Sequence, residues 1–478
     1  MIMRILMLVA FVLCMPGPPA AAEVRTGLNE DWESSLAGTY WNGELSAAGM
    51  TLTLGLEFEQ LPEQLRIFLD SPDQGVEGIP ATDARQDNKV LILSFASLAA
   101  ELRLSIENQS LSGVWVQAGQ EVPITFSPAE RAGPPERPQT PKPPFPYQEH
   151  LIRFPSANGD FDLAGTLLVP DDPPAAAVVL VSGSGPQDRD ESIAGHRPFL
   201  VLADHLARNG IAVLRYDDRG VGESGGNHST ANLSDFIDDA ASAVNALRAN
   251  QDIGNAVTGM IGHSEGALIA PAVANRGQLD LVVLLAAPGI PATELIPLQQ
   301  QRILEAGGVD PEAVMQSVET TRHLLSILEN EPNDDRASQA IRTLFERRIL
   351  ETATVKMTNE QIRQAADEAI RRSVNPWFRE MLSFDPVAEP ERIQARVLAL
   401  YGGLDLQVPP DRNAAPLRNA LSHLPTSHFV VEMIPGLNHL FQPAGNGHPA
   451  EYATIETTMS PVVLTRISEW IRAIDQPQ

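Results

Sequence analysis

The chain has 478 residues, 43% of them apolar and 20% charged, enough material for two or three domains and a sizeable core. Its 34 basic and 61 acidic residues leave a net charge of -27, a surface that repels nucleic acid and anionic membrane and favours solubility. The acidic side chains are spread without long runs, and nothing in their distribution points to a nucleic-acid partner.

At the N-terminus Arg4 precedes the apolar run Ile5–Met15, and Pro-Gly-Pro-Pro-Ala-Ala-Ala22 follows. A basic start, an apolar stretch and a small-residue cleavage site read as a signal peptide over residues 1–22, cut after Ala22. The apolar run is well short of the roughly 20 residues a spanning helix needs. The expected location is therefore outside the cytoplasm, periplasmic or secreted. The lone cysteine, Cys14, lies in this segment behind Val12-Leu13, where a lipoprotein signal would place a small residue. Its removal leaves a mature chain without disulfides, thiolate chemistry or cysteine-bound metal.

Residues 23–130 read as a small β-rich domain, a barrel or sandwich. In Met50-Thr-Leu-Thr-Leu-Gly-Leu-Glu-Phe58 every even position is apolar, the period of a strand with one buried face. Val90–Phe95, Leu102–Ile106 and Val114–Val116 continue the pattern between clusters of Gly, Asn and Asp. Trp41 and Trp115 are expected in its core and not in a stacking platform. The stretch 131–147 is so dense in proline that it reads as a stiff, extended linker.

From residue 148 to 478 the pattern changes to strand–helix alternation. Apolar runs at Ala177–Val181, Ile211–Tyr216, Val257–Ile261, Leu279–Ala286, Val397–Tyr401 and Phe429–Met433 read as buried strands. Amphipathic stretches such as Pro198–Arg208, Leu233–Arg248 and Val462–Ile474 fall outside them. Repeated βα units predict an α/β fold, a mostly parallel sheet with helices on both faces. The residues from about 290 to 385 are rich in Gln, Glu, Arg and Leu at helical spacing, and are expected to form a helical cap inserted in this domain.

Two segments match Gly-x-Ser-x-Gly: Gly222–Gly226 around Ser224 and Gly262–Gly266 around Ser264. A nucleophile elbow needs a strand running in and a helix leading out, with small flanking residues that let the two approach. Ser264 has both, Val257–Ile261 before it and Ala267–Val273 after it, whereas Ser224 is followed by the polar loop Asn227–Asn232. Ser264 is the expected nucleophile. It needs an orienting carboxylate and a base downstream, in that chain order: acid first, then histidine. Asp405 and His439 each come just past a strand, at the sheet edge where open parallel sheets bind ligands. His423 and His428 flank the last strand at the opposite edge. The oxyanion hole calls for the backbone N–H of Glu265 and one from the glycine loop Ser182-Gly-Ser-Gly185, with Ser184 first and Gly183 or Gly185 next. There is no His-Glu-x-x-His and no phosphate-cradling glycine loop with a following lysine, so no metal and no cofactor is expected.

The set Ser182–Glu191, Leu214–Gly222, Gly262–Gly266 and Asn438–Gln442 resembles the α/β-hydrolase superfamily, and more narrowly the bacterial EstD-like serine esterases, some of which carry a β module and a proline-rich linker. The resemblance covers roughly residues 148–478 and implies an α/β-hydrolase fold with a Ser264–Asp405–His439 triad. It departs at Ala267, where a third glycine is expected after the elbow. The implied activity is hydrolysis of short-acyl carboxylic esters. A peptidase or thioesterase could use the same triad, and an inert envelope-ligand binding protein is the reading without chemistry.

Overall fold

A computed structural model describes residues 32–474, apart from 33–34, 48–49, 62–63, 73–75, 96–97, 99, 108, 118–119, 132–136 and 353–358. The signal peptide and Cys14 lie outside the described residues. The chain divides into two compact units. One is built on the strands between Thr39 and Ala129, together with Asn333–Arg372 and Tyr452–Thr454; the other comprises Glu136–Pro332, Ser373–Glu451 and the chain from Ile455 onward.

Among the described residues the first unit holds nine antiparallel strands: β1 (Thr39–Ala47), β2 (Met50–Leu61), β3 (Gln64–Ser71), β4 (Val76–Pro80), β5 (Asp83–Asp87), β6 (Val90–Phe95), β7 (Ala100–Glu107), β8 (Ser110–Gln117) and β9 (Gln120–Ala129). Their order is β4-β3-β2-β1-β9-β8-β7-β6-β5. The chain between the two outer strands joins the ends: Ala81 N–H donates to Ile67 of β3, and Thr82 N–H donates to Ser94 of β6. One face of every long strand points into a shared core of Leu54, Leu56, Phe58, Leu91, Leu93 and Phe126, with Trp41 and Trp115 inside it. A single sheet can bury one face against itself only by curling, so this unit is a small barrel.

The second unit is built on an eight-stranded sheet of β10 (Tyr147–Pro155), β11 (Asp162–Pro170), β12 (Ala176–Val181), β13 (Ile211–Tyr216), β14 (Val257–His263), β15 (Leu281–Leu285), β16 (Arg396–Gly402) and β17 (Phe429–Ile434). The order is β10-β11-β13-β12-β14-β15-β16-β17. β10 and β11 are antiparallel, and the run from β13 to β17 is parallel. β12, β13 and β15 are buried along their whole length, as strands covered on both faces must be. The helices follow from local chemistry. α1 (Pro198–Arg208) starts on a proline and stops at Asn209 before Gly210, whose φ is +77°. α2 (Leu233–Ala249) opens on a capping box between Asn232 and Asp235. α3 (Gly266–Val273) leaves the elbow and is buried throughout.

Among the described residues, five helices separate β15 from β16: α4 (Ala292–Ala306), α5 (Pro311–Asn330), α6 (Asp334–Thr352), α7 (Asn359–Ser373) and α8 (Pro376–Ser383). α4, α5 and α8 belong to the second unit. Arg379 of α8 is fastened there by donating to the carbonyls of Leu328 and Glu331. Among the described residues no helix is long and apolar enough to cross a membrane.

Candidate active site

β14 ends at His263, and α3 starts three residues later. The turn between them puts Ser264 at φ +53°, a left-handed conformation that is uncommon for any residue other than glycine. It persists because both sides are pinned: Ser264 N–H donates to Leu285 of β15 at 2.8 Å, and Ala267 N–H donates back to Ser264 at 3.0 Å. The flanking glycines are needed for their missing side chains. A Cβ on Gly262 would collide with the carbonyl of Gly266, and one on Gly266 would collide with the carbonyl of Val181 in β12. Ala267, where the resemblance calls for glycine, is accommodated and buried.

Asp405 sits on the loop after β16 and is buried to 2% exposure. One carboxylate oxygen accepts the N–H groups of Gln407 and Val408, both at 2.8 Å. The other lies 2.8 Å from Nδ1 of His439, on the loop after β17. That loop is folded around Asn438, whose side-chain oxygen accepts from Leu440 and Gln442 and whose amide donates to Gln442. His439 lies beside His263, the residue before Ser264: the two histidine ring centroids are 4.7 Å apart, and Nε2 of His263 is 3.0 Å from the His439 carbonyl. An imidazole whose Nδ1 is held by a buried carboxylate can take up a proton at its other ring nitrogen.

The glycine loop approaches the elbow closely enough that a Cβ on Gly183 would stand 3.4 Å from that of Ser264. Gly183 N–H is already committed, donating to Glu191 Oε1 at 2.8 Å. Ser184 is thus the next N–H along the loop, and among the described residues neither it nor the Glu265 N–H has an internal acceptor. The Glu265 side chain is buried and accepts from Nε1 of Trp377 in α8 at 2.7 Å. Burial pushes its carboxyl up to about 7 against the opposing pull of that hydrogen bond. Asp218, which accepts from Gln187 N–H at 2.9 Å, is likewise raised well above its usual range by burial, with Glu265 nearby adding to the effect.

Ser224 is elsewhere. Its hydroxyl donates to the Asp217 carbonyl at 2.7 Å and accepts the Ala164 N–H at 2.9 Å, fastening the turn after β13 to β11. His423 is held by the carbonyls of Ala420 and Ile393. Three contacts of the site have no readable signal in the sequence: those of Glu191, of His263 and of Trp377. Glu191 follows Asp188-Arg-Asp, a charged run with no period to read, and Trp377 meets the elbow from 112 residues away.

A sheet of this order, with a strand–turn–helix serine at the carboxyl end of an inner parallel strand, defines an α/β hydrolase. The chain belongs to the family described as serine aminopeptidase, S33, whose model matches residues 172–442. Esterase EstD of Thermotoga maritima is 27% identical over 311 residues, a match that spans 65% of this chain and 65% of that relative, just under two thirds of its length. Among solved structures, an esterase of Pyrococcus furiosus aligns with TM-score 0.41 and 16% identity over 68% of this chain and 91% of its own. A proline iminopeptidase-related protein of Thermus thermophilus aligns with TM-score 0.40 and 16% identity, over 68% of this chain and 98% of its own.

Proposed function

We propose that the protein is a serine carboxylesterase acting on short-acyl esters, with Ser264 as nucleophile, His439 as general base and acid, and Asp405 as the orienting carboxylate. The observation that carries this reading is the buried 2.8 Å contact between Asp405 and Nδ1 of His439, which leaves the other ring nitrogen to serve a serine. Ser264 Oγ attacks the ester carbonyl as His439 takes its proton, and the oxyanion forms against the N–H groups of Ser184 and Glu265. His439 then protonates the departing alcohol, leaving an acyl-Ser264. Water, deprotonated by His439, attacks that acyl group, and the acid is released as the serine regains its proton.

Ser264→Ala assayed on short p-nitrophenyl esters tests this: activity is expected to vanish, wild-type rates would overturn the triad assignment, and a wild-type protein that turns over no ester would leave the inert binding reading. A fluorophosphonate is expected to label Ser264 and not Ser224. The family description favours a second reading, an aminopeptidase on the same triad, which amino-acid p-nitroanilides would reveal by turning over faster than the esters. We also propose export of the chain by residues 1–22; N-terminal sequencing of protein from the cell envelope or medium should begin at Glu23.

A further inference from the structure

Two histidines stand side by side at the elbow, and the proposed mechanism uses only one. His263, the residue before the nucleophile, is buried, with Nδ1 2.7 Å from Glu191 Oε1 and Nε2 3.0 Å from the carbonyl of His439. Both neighbours accept hydrogen bonds. A carbonyl carries no proton, and the same Glu191 oxygen already accepts the Gly183 N–H at 2.8 Å. Nε2 must therefore donate, and a Glu191 carboxylate, accepting the Gly183 N–H through the same oxygen, takes a second proton donor at Nδ1, so that the ring is an imidazolium. Burial opposes that charge, but the charge and hydrogen bond of Glu191, the His439 carbonyl and the charge of Asp405 outweigh it and raise the pKa of His263.

Glu191 is set in place by the chain before it. Its backbone is left-handed at φ +53°, and its N–H donates to the Asp188 carbonyl at 3.0 Å. Asp188 Oδ1 accepts the N–H groups of Asp190 and Ser192, both at 3.0 Å. Arg189 grips both oxygens of Asp217 and the hydroxyl of Thr166, and Asp190 pairs with the buried Arg215. The charged run Asp188-Arg-Asp is thus staked to the sheet just before the carboxylate that reaches His263.

We propose that Glu191 and His263 are positioning residues, a buried carboxylate–imidazolium pair that holds the glycine loop, the elbow strand and the backbone of His439 in one arrangement. The inference rests on the triad assignment above. One carboxylate oxygen orders the glycine loop at Gly183, next to the oxyanion donor Ser184. Through the imidazolium it also fixes the carbonyl of the base, so three segments from distant parts of the chain meet at a single ion pair. Neither residue touches substrate. Loss of the His263 proton at high pH frees the His439 carbonyl and lowers kcat.

The test uses the full chain. Nitrogen-15 NMR of the histidine rings, with His263 assigned by its loss in His263→Asn, is expected to show both nitrogens protonated at pH 7; a neutral-ring signature would overturn the pair. Glu191→Gln keeps an acceptor for Gly183 and His263 but removes the charge. Its kcat should fall off at a pH at least a unit lower than wild type, with KM within twofold; a superimposable pH profile would overturn the proposal. His263→Asn keeps the donor toward Glu191 and loses the one toward His439, whereas His263→Gln keeps the latter. A kcat loss of tenfold or more in Asn, largely recovered in Gln, is expected, and equal kcat in the two variants would refute the link to His439. Ser264→Ala separates the readings: if it retains activity the triad itself fails, and if it is dead while Glu191→Gln and His263→Asn match wild type, this inference alone fails.

Discussion

Gly222–Gly226 and Gly262–Gly266 share a five-residue pattern and little else. Around Ser264 the backbone is forced into the left-handed region between a buried strand and a buried helix, and the glycines are needed because carbonyls occupy the space a Cβ would take. Around Ser224 it is Gly222 and Gly226, not the serine, that have positive φ, at +53° and +89°. There the serine hydroxyl is consumed by two backbone groups that staple a turn to β11. A serine that satisfies its own surroundings has no hydroxyl to offer. The pattern marks a tight turn, and only its neighbours make it a site.

Mutation can break or sharpen that contrast. The largest effect is expected at the elbow itself: Ser264→Ala should lower kcat for ester hydrolysis by about 10^5-fold or more, read against the uncatalysed background. Asp405→Asn should keep the loop, since the Gln407 and Val408 N–H groups can still be accepted, but lose the tautomer control over His439. A fall in kcat of about 10^4-fold with little change in Tm is expected.

The residue after each serine extends the comparison to pH. Gly225 packs against Phe161 and carries no charge, whereas Glu265 is buried with its carboxyl pushed up from 4.5 to about 7. Below pH 4.5 the folded and unfolded chains both hold that proton; between 4.5 and about 7 only the folded chain does. Stability therefore falls as pH rises through this window, by about 3 kcal/mol at most, and stays lost above it. Glu265→Gln should accordingly raise Tm at pH 8 and leave it nearly unchanged at pH 4, measured by thermal melts at both. The smallest effect belongs to Ser224→Ala. It should retain kcat within twofold and lose about 1–2 kcal/mol in chemical denaturation, because the Ala164 N–H and Asp217 carbonyl lose their partner.

Much of this is legible in the sequence. The two-residue period of Met50–Phe58 places Leu54, Leu56 and Phe58 in the barrel core, where they are fully or almost fully buried. The helix Pro198–Arg208 has the bounds its proline start and Asn209-Gly210 end imply. β10 and β11 escape the sequence pattern, for physical reasons. β10 is an edge strand with Leu151 79% exposed, so it carries no clean apolar face. β11 is buried on both faces yet interrupted by Gly165 and Thr166, so neither alternation nor a continuous apolar run stands out. Helical spacing over 290–385 likewise gives no sign that α6 and α7 group with the barrel unit while α4, α5 and α8 group with the sheet.

The sequence by itself determined the elements and the chemistry that local order can encode: a parallel sheet, an elbow at Ser264, and an acid and a histidine each following a later strand. Those features depend on neighbours a few residues away, through periodicity, capping and the small residues a tight turn requires. Only the tertiary structure decided what converges on the elbow. Glu191 reaches His263 across 72 residues and His263 reaches His439 across 176, and Trp377 reaches Glu265 across 112. Hydrogen bonds between segments so far apart are set by how strands stack in the sheet and by what burial leaves unsatisfied, and no local pattern records either.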